Sequence, residues 1–135
     1  MITPTSTLAS GGTAPAPPRK PVNTKTAAEY WHTKGLPKNK IIIGFATYGR
    51  SWSLVDRGKS EVGAPGGRAK AGKFTKEAGF LAYYEICELV AQGAKRRFDT
   101  VQKVPYIVSD DQWIGFDDRE SFQLKVNALI YYNVL

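Results

Sequence analysis

The chain's 135 residues suit a single domain with one core, and a hydrophobic share of 42% excludes an intrinsically disordered protein. Its net charge of +7, from 19 basic and 12 acidic side chains, favours acidic partners but leaves the fold open. One cysteine, Cys87, excludes an internal disulfide and a cysteine-built zinc cluster, and one histidine, His32, excludes a multi-histidine metal site.

Residues 1–22 are rich in Thr, Ser, Ala, Gly and Pro and read as a disordered tail. Their opening, MITPTSTLASGG, has neither the basic start nor the long apolar stretch of a signal peptide. Ala27, Ala28, Tyr30, Trp31 and Lys34 predict a short amphipathic helix with Trp31 in its core face, ended by Gly35. Ile41, Ile42, Ile43 and Phe45 form a near-continuous apolar run, which predicts a strand covered on both faces. Trp52, Leu54 and Val55 extend into a second strand. Residues 56–74 are glycine-rich loop.

A helix is expected to start at Thr75 as its cap, with Glu77 in the first turn, where negative charge suits the helix dipole. Phe80, Tyr83, Tyr84, Cys87, Val90 and Ala91 then recur at helical spacing as its apolar stripe, with Gly93 as the stop. Cys87 reads there as a small core residue. AKRRFDT, VPYIVSD and QWIGFDD predict three short strands, with a hairpin turn at Asp110–Asp111. Asp117 and Glu120 have capping-box spacing for a last helix carrying Phe122, Val126 and Leu129. The sum is α+β. No apolar run approaches the ~20 residues that span a bilayer.

GRAKAGKFT, residues 67–75, is one residue away from a phosphate-binding loop: Phe74 stands where a hydroxyl would hold magnesium. The preceding SEVGAPG is not a buried strand, so the dipole geometry that cradles phosphate is not expected. Arg68, Lys70, Lys73 and Lys76 form either an anion-binding patch or a solvated loop. No nucleic-acid-binding signature is present.

From about Thr24 to Leu129 the chain resembles family-18 glycoside hydrolases, the chitinases and their non-catalytic lectin relatives. The resemblance rests on AAEYWHTKGLPKNKIIIGFATYGRSWSL, GKFTKEAGFLAYYEIC and KVPYIVSDDQWIGFDDRESFQLKV. It implies a small α+β insertion domain, an antiparallel sheet with one packed helix, flanked by a helix, strand and helix of a (β/α)8 barrel. The implied division is a tail at 1–22, helix and strand at 23–49, insertion domain at 50–117 and barrel-type helix at 118–135. No run matches the family's catalytic Asp-x-x-Asp-x-Asp-x-Glu, so no catalytic residue is assigned. No metal or other cofactor is implied.

The resemblance implies substrate-binding roles for five residues. Tyr48 and Arg50 reach into the family's cleft; Arg50 donates in a fork to hydroxyls and carbonyls, or pairs with a carboxylate such as Glu77. Glu77 accepts from sugar hydroxyls, or acts as a first-turn helix acid. Phe80 touches sugar or packs in the helix stripe. Trp52 is the better stacking platform, with Trp113 in the core.

Three functions follow: chitin or chito-oligosaccharide binding without catalysis, a fragment of an active chitinase, or a basic protein that binds polyanions. Outside a full barrel, strand 41–45 lacks neighbours and covering helices, so a homodimer through it, a strand-swapped assembly or poor solubility is expected. Family relatives are usually secreted, yet no export signal is seen, so localisation stays open.

Overall fold

The computed structural model describes residues 24–131; the expected tail at 1–22 lies outside them. Helix α1 (Thr24–Thr33) buries Ala27 and Ala28. The amides of Gly35 and Leu36 close it by donating to the carbonyls of His32 and Trp31. Trp31, expected in the core face, is 51% exposed; the buried face consists of the two alanines, which let α1 lie close to a neighbour. That neighbour is α3 (Arg119–Tyr131), where Leu129 packs on Ala28 with Ile41 and Ile43 at the margin.

The apolar run at 41–45 does not form a ladder among the described residues. Ile41 has extended backbone angles, but Ile42 is 93% exposed. A strand is stabilised by its partners' N–H and C=O groups. Helices α1 and α3 touch this run through Ile41, Ile43 and Phe45, but none of the described strands pairs with it.

A six-stranded antiparallel sheet forms the centre: β1 (Tyr48–Leu54), β2 (Gly66–Gly67), β3 (Phe80–Ala82), β4 (Arg96–Asp99), β5 (Val104–Ser109) and β6 (Gln112–Gly115). Along the main path the order is β2-β1-β6-β5-β4. β3 pairs with the start of β1 and β2 with its end, both on the edge away from β6. The β5–β6 hairpin turns at Asp110–Asp111 as expected, with Asp110 at φ 53, a conformation Asp tolerates.

Side chains alternate across this sheet. One face carries Leu81, Ile107 and Ile114 against Ile86 of α2 (Tyr83–Ala91), with Leu89 alongside. Ile107 and Ile114 are the best-buried aliphatics of the sheet, and a buried side chain of this kind contributes roughly 1.5–3 kcal/mol. The other face presents Tyr48, Arg50 and Trp52 from β1, Phe80 from β3, Trp113 from β6 and Tyr106 from β5.

Two sequence expectations shift here. The helix expected from Thr75 begins at Tyr83, so Glu77 lies in a turn and Phe80 in a strand. The open edge of β1 recruits residues 80–82, and Thr75 Oγ1 donates to the carbonyl of Phe80 instead of capping a helix. The expected stripe also faces outward: Tyr83 is 39% exposed, Tyr84 57%, and Cys87 is exposed. Glu85 and Ile86 are buried in its place. Gly93, at φ 108, stops the helix as expected, and the amide of Ala94 returns to the carbonyl of Leu89.

The cap of α3 lies one residue later than its spacing suggested. Asp118 Oδ1 accepts from the amide of Ser121 at 3.0 Å, and Ser121 Oγ accepts from the amide of Asp118 at 2.9 Å. Asp117 is buried and accepts from Lys125 Nζ at 2.5 and 2.6 Å, pinning α3 to the end of β6.

Candidate functional site

Strand pairing places Arg50 directly opposite Phe80 on one side and Gly115 on the other. Its guanidinium carbon lies 5.3 Å from the Phe80 ring centre and 5.5 Å from that of Tyr48. The two rings are 4.9 Å apart and tilted by 34°. Both distances to the cation fall within cation–π range. Glu77 approaches from the turn before β3, with its carboxylate 3.9 Å from Arg50. Four of the five sequence-identified residues, Tyr48, Arg50, Glu77 and Phe80, thus form one cluster.

The fifth, Trp52, lies two residues further along the same face. It packs on Trp113 at 5.7 Å between ring centres, and Trp113 stacks on Tyr106 at 5.2 Å and 21°. Trp113 is buried, as expected, and Trp52 is half-buried. Tyr48, Arg50, Val62, Tyr106, Trp113 and Asp117 share a hollow of about 50 Å³. Ligand cavities that swallow a small molecule run from roughly 300 Å³ upward. This face therefore suits an extended ligand lying across it, touched on one side.

The GRAKAGKFT loop has its own structural answer. Its amides do face an anion, but the anion is the carboxylate of Glu85. Oε1 accepts from the amides of Phe74 at 2.6 Å and Thr75 at 3.2 Å, and Oε2 accepts from that of Ala82 at 2.9 Å. Gly72 is required, because a Cβ there would lie 2.6 Å from Oε1. Burial pushes the Glu85 carboxyl upward, but the three amides and the Thr75 side chain outweigh it and hold the group below its ordinary range. Two of the four loop cations are paired, Lys70 with Asp111 at 2.8 Å and Lys73 with Glu88 at 3.6 Å. The sequence reading missed Glu85; its signal was a carboxylate embedded in the apolar run YYEIC.

Arg96 joins the sheet to α3, donating at 2.7 Å to both Asp118 and Glu120. Burial raises Asp118, but the bond from Arg96 and the amide of Ser121 leave it lowered overall. Among the described residues, no group of three or more His, Cys, Asp or Glu could hold a metal ion. No described helix is long and apolar enough to cross a membrane.

The sequence profile for "Glycosyl hydrolases family 18" matches residues 2–134. A probable endochitinase of Caenorhabditis elegans is 45% identical over 104 residues, which cover 77% of this chain and 17% of that protein. Among solved structures, an immunomodulatory active chitinase from Trichuris suis aligns with a TM-score of 0.80 at 37% identity, covering 97% of this chain and 38% of the other. Human YKL-39, described as a pseudo-chitinase with retained chitooligosaccharide binding properties, aligns at 0.78 and 43%, covering 85% and 32%. The chain thus spans well under half the length of each. With the profile across nearly all its residues and these identities behind it, the chain belongs to glycosyl hydrolase family 18.

Proposed function

We propose that the face bearing Tyr48, Arg50, Trp52, Glu77 and Phe80 binds chitin or N-acetylglucosamine oligosaccharides. The observation that carries this is the Arg50 cluster: a guanidinium held over two aromatic rings and beside a carboxylate, on a shallow open face. Each part matches a feature of the sugar. Tyr48 and Phe80 offer flat apolar surface to pyranose C–H groups. Arg50 donates to hydroxyls and to the acetamido carbonyl, and Glu77 accepts from hydroxyls. Trp52 extends the apolar surface along the same strand. The chitooligosaccharide binding described for human YKL-39 supports the reading. No Asp-x-x-Asp-x-Asp-x-Glu run occurs in the sequence, so the role proposed for these residues is recognition, with bond cleavage assigned to none of them.

A second reading is favoured by the exposed Ile42: these residues serve as one wall of the substrate cleft in a longer chitinase chain, whose other parts cover the 41–45 run. If the 135-residue chain acts alone, the same exposure supports the homodimer expected through that run. Light scattering over a concentration series tests it, and a concentration-independent monomer counts against it.

Calorimetric titration with N-acetylglucosamine tetramers, on wild type, Arg50→Ala and Glu77→Ala, tests the sugar-binding reading. Affinity should fall ~10–100-fold for Arg50→Ala, the size of lost charge-assisted hydrogen bonds. Binding should change little between low and high salt. Steep salt dependence with an acidic polymer, and no response to the tetramer, would support polyanion binding instead.

A further inference from the structure

We propose that Glu85 is a positioning residue for this face: its buried carboxylate grips both ends of the turn that presents Glu77 and Phe80 to Arg50. The inference rests on the sugar-binding reading above and deepens it. Glu85 is 4% exposed and stands on the opposite side of the sheet from Arg50, so it touches no ligand lying on the candidate face.

The two carboxylate oxygens act at the two ends of residues 74–82. Oε1 holds the amides of Phe74 and Thr75, where the chain enters the turn, and Oε2 holds the amide of Ala82, where it leaves β3. Between these anchors the chain reverses with Lys76 at φ 56 and Gly79 at φ 82. Further bonds tie the anchored ends to the displayed residues. Thr75 Oγ1 donates to the carbonyl of Phe80 at 3.1 Å, and the amide of Phe80 donates to the carbonyl of Glu77 at 3.3 Å. A left-handed backbone at a lysine persists only where its surroundings fix it. Here backbone bonds from Lys76 to Gly72 and from Ser51 to Gly79 share that task with an ionised acceptor, whose charge-assisted bonds are shorter and stronger than neutral ones.

The chemistry sets the requirement. Three amides converge on two oxygens, so an ionised carboxylate satisfies them all. Glutamine has the same shape but places an NH2 against one donor set, leaving a buried amide without an acceptor. Aspartate keeps the charge but is one methylene short of reaching both anchors.

The test combines an affinity cycle with a ligand-free readout. Glu85→Gln should weaken tetramer binding about 10-fold in the wild-type background and less than about 2-fold in a Glu77→Ala, Phe80→Ala background, since the residues through which it acts are then gone. Without ligand, Glu85→Gln should speed hydrogen exchange at Phe74, Thr75, Ala82 and residues 76–80 while the amides of β5 and β6 keep wild-type rates. Thr75→Val, which removes the hydroxyl that ties the turn to Phe80 and supports the Glu85 carboxylate while leaving the three amide bonds in place, serves if Glu85→Gln does not fold, and should lose about 3–10-fold in affinity. Equal losses in both backgrounds, or exchange rates raised throughout the sheet, would reduce Glu85 to a general stability role and overturn the proposal. Wild-type affinity in Thr75→Val, or in Glu85→Gln with unchanged exchange, would overturn it as well. If wild type itself does not bind the tetramer, the sugar-binding reading fails first, and the exchange data alone report on the clamp.

Discussion

Arg50 and Phe80 are Cα partners in the β1–β3 ladder, and the Arg50 guanidinium carbon lies 5.3 Å from the centre of the Phe80 ring. That relationship, more than the ion pair with Glu77, places the cation. The pair is 3.9 Å long, with side chains 46% and 66% exposed, and contacts of this kind contribute roughly 0–1 kcal/mol. The ladder and the two rings hold Arg50 whether or not Glu77 is present. Glu77→Ala should therefore leave the melting temperature within about 1 °C of wild type, in line with the small effect of surface substitutions. Its effect should appear in sugar affinity alone, read by thermal melts beside calorimetry.

Arg50→Lys separates charge from shape. Lysine keeps the charge but loses the planar fork and the wide guanidinium surface over Tyr48 and Phe80. The tetramer affinity of Arg50→Lys should fall between wild type and Arg50→Ala. Equality with wild type would mean that charge alone acts at this position.

Gly72→Ala should destabilise the protein by about 1–3 kcal/mol, the range for forcing an atom into a packed site. The new methyl would come 2.6 Å from Glu85 Oε1, so the loop must move off the carboxylate. Urea unfolding measures the loss. Gly67→Ala, at the end of β2 with open space around the position, is the control and should unfold close to wild type.

Acid should weaken the fold through Glu85 and Asp118. Both carboxyls are held below their ordinary values, so the stability they contribute is present above the unfolded carboxylate range. It is lost as pH falls through the depressed folded values. Unfolding free energy should be flat above about pH 5 and decline below it. Glu85→Gln should start lower at neutral pH and decline less steeply.

Asp117→Ala removes the partner of Lys125 at a site where both side chains are largely buried. Breaking such a pair typically costs about 3–5 kcal/mol, because the remaining charge stays desolvated. Denaturant unfolding should show that loss, and α3 should be the first element to exchange its amides. Asp117→Ala paired with Lys125→Met should recover a large part of it.

The legible part of this chain was its local chemistry. The Asp110–Asp111 hairpin, the Gly93 stop and the α1 helix follow from turn and capping preferences that act over a few residues. The grouping of Tyr48, Arg50, Glu77 and Phe80 was legible only through family resemblance, since a turn and two strands far apart in sequence bring them together. What failed depended on distant partners. Phe80 reads as part of a helical stripe until the open edge of β1 claims it as a strand. Tyr83, Tyr84 and Cys87 read as the inward face, yet Glu85 turns inward in their place because two loop amides and that of Ala82 at the end of β3 converge on it. The Ile41–Ile43 run has strand composition, but composition cannot supply a neighbour to pair with.

The most direct test is chemical-shift mapping with a labelled protein titrated against N-acetylglucosamine tetramer. The account predicts saturable shifts concentrated at Tyr48, Arg50, Trp52, Glu77 and Phe80, with the outer face of α2 at Tyr84 and Val90 unmoved. Shifts confined to the α2 face or to the basic loop, or none at millimolar sugar, would contradict it.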